Sequence, residues 1–153
     1  MVEKGFGFWQ MEKMQSAALV ILKSLIDNQW HQYRELLEKT KLSSATLSRH
    51  LKSLEHSGIV EKNLDTQSGA YPYPVSYRLN PQYQIFDELL NLDSRSKIKT
   101  TEERIGAASK ALSKAISRIY AIYAENKNRE ALDQSRAFAQ WLFLDYLNKT
   151  EPQ

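Results

Sequence analysis

The spacing of apolar and polar positions changes several times along the chain. "MEKMQSAALVILKSLIDN" puts Met14, Ala18, Ile21, Leu22 and Leu25 on one side at a 3.6-residue period, which predicts a helix ending near Asn28. A shorter helix is expected over His31 to Thr40, with Tyr33, Leu36 and Leu37 facing inward. Then comes "LSSATLSRHLKSLEHSGIVEK", Leu42 to Lys62, in which Leu47, Leu51 and Leu54 recur at intervals of four and three. Ser43 or Ser44 can accept from the unpaired N–H groups of its first turn, and Gly58 can end the helix in the left-handed conformation.

After Gly58 the period shortens. "IVEKNLDTQSGAYPYPVSYRLN" has apolar Ile59 and Val60, a polar centre with Asp65, Ser68 and Gly69, and then Val75, Tyr77 and Leu79 in alternation, the pattern of a hairpin with a long tip. Pro72 and Pro74 remove two backbone donors, so the returning strand is expected to begin near Val75 or to have an outer edge there. Pro81 closes this first domain, residues 11–81, which reads as three short helices followed by a two-stranded ribbon.

The remainder, 82–150, is helical. Gln82 to Leu92 predicts a short helix, "NLDSRSK" a break, and Lys97 to Glu125 a long helix in which Ile98, Ile105, Leu112 and Ile119 repeat every seven residues. Thr101, Ala108, Ala115 and Ile122 take the paired heptad positions, and so narrow a seam wants a partner helix. Glu130 to Leu147 predicts a last helix carrying Leu132, Phe138, Trp141 and Leu142, with Phe143 and Tyr146 nearby. Two readings compete: the last helix folds back along the long one, or the seam pairs with a second chain. The second makes this a dimerisation region built from Ile98, Ile105, Leu112, Ile119 and Ile122, assisted by Phe138, Trp141 and Leu142. The fold class is mainly α with a small β-hairpin.

Composition narrows the chemistry. At 153 residues and 42% hydrophobic content the chain can bury a good core. The absence of cysteine excludes disulfides and thiolate metal sites, and His31, His50 and His56 are scattered without a carboxylate-rich cluster, so neither a metal nor a cofactor is expected. Zero cysteine fits a cytoplasmic chain. The opening "MVEKGFGFWQMEK" lacks the apolar core of a secretory signal and no run reaches a membrane span, so no membrane association is expected. A Gly-rich phosphate loop, a His-Glu-x-x-His sequence and a glycine-flanked serine are all missing, which speaks against an enzyme.

Net charge of +3 permits a nucleic-acid partner but argues little unless it is concentrated. Between residues 41 and 62, Lys41, Arg49, Lys52 and Lys62 outnumber Glu55 and Glu61. With the leucines facing the core, Thr46, Arg49, His50 and Ser53 lie around the remaining sides of the helix, with Ser44 and Ala45 at its leading end. Short hydroxyls allow close approach to a base edge or phosphate, and arginine can span guanine acceptors or clamp a phosphate. Each residue also has an ordinary reading. Ser43 and Ser44 serve as caps without any ligand, Arg49 as a solvated or ion-paired side chain, and His50 as a structural hydrogen-bonding group. His31 and His56 read as surface residues, Tyr71 and Tyr73 as wing packing or a ligand or subunit contact. The basic series Lys97, Lys99, Arg104, Lys110, Lys114 and Arg118 reads as the solvated side of a heptad helix.

The same residues carry a resemblance. "LSSATLSRHLKSLEHSGIVEK" resembles the recognition-helix segment of winged helix-turn-helix transcription regulators, in particular the broad ArsR/MarR-like group, and "YRLN" resembles the strand returning from their wing. The resemblance covers about half the chain, through Pro81. It implies that Ser44, Thr46, Ser48, Arg49 and His50 occupy positions that commonly contact DNA, while Leu47, Leu51, Leu54, Ile59 and Val60 occupy packing positions. It further implies a homodimer reading a pseudopalindromic operator, with an unidentified small-molecule effector as a further partner. The wing departs from the pattern: "DTQSGAYPYP" presents Asp65 and no basic residue at its tip. The expected function is sequence-specific binding of double-stranded DNA by a dimeric transcriptional regulator through Ser44, Thr46, Ser48, Arg49, His50, Lys52, Ser53 and Lys62. The rival is a winged-helix protein-protein interaction module of the transcription machinery, motivated by the acidic tip and the tyrosine-proline hairpin.

Overall fold

The computed structural model describes residues 16–69, 71–92 and 100–150. Ile98 of the expected seam lies outside the described residues, as do Met14, Lys97 and Lys99. The chain divides into two compact units between Pro81 and Gln82.

In the first unit, α1 covers 16–24 and is followed by a turn through 25–27, with Asn28 at a left-handed φ of 64°. The helix thus stops one turn short of its expected end. Strand β1, His31–Gln32, precedes α2, Tyr33–Thr40. The expected second helix loses its first two residues because they pair instead with β3, His31 opposite Tyr77 and Gln32 opposite Ser76. This covers part of one edge of the ribbon, at Ser76 and Tyr77, and edges left open invite other chains.

Helix α3, Ser44–Ser57, has its competing cap candidates resolved: Ser43 is the N-cap, its hydroxyl accepting from the Thr46 N–H at 3.2 Å. Gly58 ends the helix at φ 88°, a conformation that favours glycine. Leu47, Leu51 and Leu54 are at most 1% exposed, with Ile21, Leu22, Leu25, Leu36, Ile59 and Leu79 equally buried in this unit. Burying each such side chain contributes about 1.5–3 kcal/mol. The hairpin consists of β2, Val60–Leu64, and β3, Val75–Leu79, with Val60 opposite Leu79 and Leu64 opposite Val75. The resulting antiparallel sheet has the order β1-β3-β2. The fold is mainly α with a small antiparallel sheet, as the periodicities predict, and the sheet has one strand more.

The second unit begins around a 3-10 turn, Pro81–Tyr83, and continues through α4, Asp87–Leu90, α5, Thr101–Asn126, and α6, Arg129–Thr150. Thr100 caps α5 by accepting from the Glu103 N–H at 3.2 Å. Lys127, at φ 54°, turns the chain, and the Asn128 side chain accepts from the Ala131 N–H at 3.0 Å to start α6. The two long helices pack against each other as a hairpin, and α4 packs on both. Their buried line is made of small residues on α5, Ala108, Ala111 and Ala115, with Ile119, facing a set on α6 that includes Phe138, Ala139 and Leu142. Phe138 is fully buried and meets Phe86 edge to face at 4.8 Å between ring centroids.

The fold-back reading of the last helix therefore describes this chain. Of the expected seam, Ile119, Phe138 and Leu142 are buried, Leu112, Ile122 and Trp141 are half-buried, and Ile105 remains 44% exposed.

Candidate nucleic-acid interface

Helix α2, the turn Lys41–Ser43 and helix α3 form a helix-turn-helix whose second helix has two distinct sides. Leu47, His50, Leu51, Leu54 and Ser57 are buried. Ser44, Ala45, Ser48, Arg49 and Lys52 are exposed, and the recurrence of 44, 48 and 52 at intervals of four puts them along one stripe. Arg49 and Lys52 form no ion pair with any described residue, and α3 has no carboxylate in its first turn. The first carboxylate on the helix is Glu55. The leading three turns thus present small, hydroxylated and cationic groups to solvent.

The remaining expected contacts are placed differently. Thr46 is half-buried and its hydroxyl accepts from the Ser43 hydroxyl at 2.9 Å, so it belongs to the cap. His50 is only 9% exposed and turned toward the core. Burial, with the neighbouring Arg49 charge adding to it, lowers its pKa and favours the neutral ring. Ser53 is half-buried. Lys62 is exposed on β2, opposite Tyr77 in the ladder.

Tyr33 is a member of this surface that periodicity alone assigns to the core. Its ring is half-buried, but its hydroxyl lies 3.1 Å from the Ser44 carbonyl, 2.8 Å from the Ser44 hydroxyl and 2.8 Å from the Ser48 hydroxyl. It ties the start of α2 to the start of α3. No spacing rule could reveal this, because the pairing spans eleven and fifteen residues through the turn.

The wing keeps its unusual tip. Gln67 N–H donates to the Asp65 carboxylate at 3.1 Å, Tyr71 is 88% exposed, and Tyr71 meets Tyr73 edge to face at 5.7 Å. Nearer the sheet, Arg78 pairs with Glu61 at 2.9 Å across the strands and lies 4.5 Å over the Trp30 ring. This arginine is thereby committed within the unit.

His31 corrects the expectation of an ordinary surface residue. It is 5% exposed, and its ring nitrogens contact two carboxylates: Nε2 lies 2.8 Å from Asp27, and Nδ1 is hydrogen-bonded to Glu35. Glu35 also pairs with Lys39 at 3.3 Å. Burial works against the imidazolium, but the two carboxylates outweigh it and raise the His31 pKa. Carboxylates only accept, so both contacts are hydrogen bonds when the ring is protonated at both nitrogens. Among the described residues, no group of three or more His, Cys, Asp or Glu side chains is arranged to hold a metal ion. No helix among them is long and apolar enough to cross a membrane.

Residues 16–62 match the family model described as bacterial regulatory protein, arsR family. No curated protein and no solved structure matches the chain significantly. The matched segment runs from α1 through the helix-turn-helix into β2, so it takes in the whole stripe described above. The hairpin that follows supplies the wing. The first unit thus has the winged helix-turn-helix fold, and its residues 16–62, about a third of the chain, are similar to the arsR family of bacterial regulatory proteins.

Proposed function

We propose that the chain reads a specific duplex sequence as a homodimer, with α3 lying in the major groove. The observation that carries the reading is the exposed stripe Ser44, Ser48 and Lys52 with Arg49 beside it, free of carboxylates as far as Glu55. An arginine without an internal partner can bond guanine acceptors in the plane of the base, whereas a lysine acts as a point charge on phosphate. Lys62 on the wing strand takes a phosphate contact. A helical reader places few side chains in one groove, and a second copy doubles the contacts and sets the half-site spacing. The aliphatic edge of α5, where Ile105 is 44% exposed and Leu112 half-buried, supports pairing between copies. For an effector, the second unit offers a cleft of about 470 Å³ between Gln84–Glu88 and α5, floored by Ala111 and Ala115 and carrying Asp87 and Arg118.

Selection of bound sequences from a genomic fragment library by the purified chain tests the reading. An inverted repeat is the expected product; the absence of any enriched motif overturns it. One observation favours the rival interaction module: the wing exposes Tyr71 and Leu64, the latter 47% exposed, and its tip, residues 65–74, contains no basic residue. A stable protein partner whose binding is lost on Tyr71→Ala, together with no enriched DNA, would establish that role instead.

A further inference from the structure

The hydrogen bonds at Tyr33 determine more than the position of α3. A phenol has one proton and two acceptor lone pairs. Three oxygens surround the Tyr33 hydroxyl at 2.8–3.1 Å, and one of them, the Ser44 carbonyl, can only accept. All three contacts are hydrogen bonds only when Tyr33 donates to that carbonyl and accepts from both serine hydroxyls. Ser44 and Ser48 thus have their protons turned inward to Tyr33, and their outward faces carry lone pairs. Both side chains are exposed on the stripe that includes Lys52.

We infer that Ser44 and Ser48 act as acceptor-only readers, recognising the exocyclic amino groups of adenine or cytosine in the major groove, with Tyr33 as the positioning residue that sets their polarity. This rests on the proposal that α3 enters the major groove. A serine with a free rotor bonds either donors or acceptors, and so discriminates little. A serine whose proton is already committed is repelled by phosphate oxygens, guanine O6 and thymine O4, and is attracted only by the N6 amine of adenine or the N4 amine of cytosine. The division of labour follows: Arg49, Lys52 and Lys62 take acceptors and phosphates, while the two serines take donors. The leading turn then contributes a sequence preference that does not depend on charge.

The test uses the full chain, its selected duplex, and two variants, Tyr33→Phe and the double variant S44A/S48A, each checked by circular dichroism for an unchanged melting transition. Positions whose preference disappears in S44A/S48A locate the serine contacts. At those base pairs, replacing adenine by purine, or cytosine by its 4-deamino analogue, deletes the amine. Wild-type affinity should fall about fivefold, the scale of one hydrogen bond, and affinity of the double variant should not change. Tyr33→Phe frees the serine protons, so the serines can donate as well as accept, and the preference for an amine over guanine O6 or thymine O4 at those positions should fall below twofold. The inference is overturned if deleting guanine O6 by use of 2-aminopurine, or neutralising a phosphate, costs the affinity instead. It is equally overturned if Tyr33→Phe keeps the wild-type discrimination against guanine O6 and thymine O4, whereas a wild-type chain that enriches no motif refutes the major-groove reading itself. Should Tyr33→Phe fail to fold, the amine dependence of wild type against S44A/S48A still decides whether the serines accept.

Discussion

Helices α3 and α5 are both amphipathic, yet they bury different kinds of residue. In α3 the apolar stripe is leucine and is covered almost completely. In α5 the most deeply covered line is mostly alanine, while Ile105 is nearly half exposed and Leu112 and Ile122 are half-buried. The difference follows from what each helix meets. Helix α3 packs into a small mixed core, where a leucine fills volume between elements. Helix α5 runs alongside another long helix joined to it by a two-residue turn, and alanines let the two axes approach closely, so the larger aliphatics fall to the flanks. A hydrophobic period therefore shows that a face wants cover, but the size of its residues decides which part of it a neighbour inside the chain takes.

That contrast is broken first at its deepest point. Phe138→Ala should cost about 3–5 kcal/mol, the loss expected for emptying a fully buried aromatic site, read as an earlier urea midpoint with loss of helicity. The flank should behave in the opposite way. Ile105→Glu combined with Leu112→Glu should leave helicity near wild type but weaken self-association by about a hundredfold, roughly 3 kcal/mol, if these residues cover one another across two copies. Sedimentation equilibrium reads the second effect. A double variant that unfolds like Phe138→Ala would mean that both lines belong to one internal core, and an undiminished dimer would remove this edge from the interface.

On α3 the exposed side can be dissected without touching the leucines. Arg49→Ala should cost about 1–3 kcal/mol at the preferred duplex and relax preference at one position. Lys52→Ala should weaken all duplexes alike and reduce the dependence of log affinity on log salt by about one. Titrations against the selected and a scrambled duplex at several salt concentrations separate the two. Equal losses for Arg49→Ala on both duplexes would reduce it to a phosphate contact.

How far these features are legible in the sequence depends on the distance over which they are made. The leucine stripe, the Ser43 cap, the Gly58 stop and the strand beginning at Val75 arise from neighbours within a few residues, and periodicity and turn chemistry report them. The stripe also leads to Thr46, Arg49, His50 and Ser53 as the open sides of the helix, and of these only Arg49 is exposed, while Thr46 and Ser53 are half-buried and His50 is buried. What the sequence conceals depends on distant partners: β1 exists because β3 has an edge to cover, Tyr33 turns outward because α3 returns past it, and His50 turns inward despite its polar ring. The heptad of α5 is visible, but whether α6 or a second copy covers it is decided by helix approach, which a one-dimensional period does not encode.

His31 was hidden for the same reason, and it yields the smallest effect, because Asp27 and Glu35 are 49% and 43% exposed and solvent screens their charges. Its carboxylate partners raise its pKa above the ordinary 6.5 despite burial. A group whose pKa is raised on folding contributes stability that is fully present below its unfolded value and is lost as pH rises through the folded one. Asp27 and Glu35 work in the opposite sense. Burial opposes ionisation of Asp27, but hydrogen bonds from the Gln29 N–H and from His31 lower its pKa, and the hydrogen bond from His31 lowers that of Glu35. Their contribution is present above their ordinary values of 3.8 and 4.5 and is lost as pH falls through the folded ones. The clamp is therefore complete between about pH 4.5 and 6.5 and weakens on the alkaline side as His31 loses its proton. Thermal melts across pH 5–9 should show wild-type stability declining over the alkaline part of that range and His31→Gln flattening that decline. Parallel profiles for the two chains would show that the imidazolium between Asp27 and Glu35 contributes nothing to the fold.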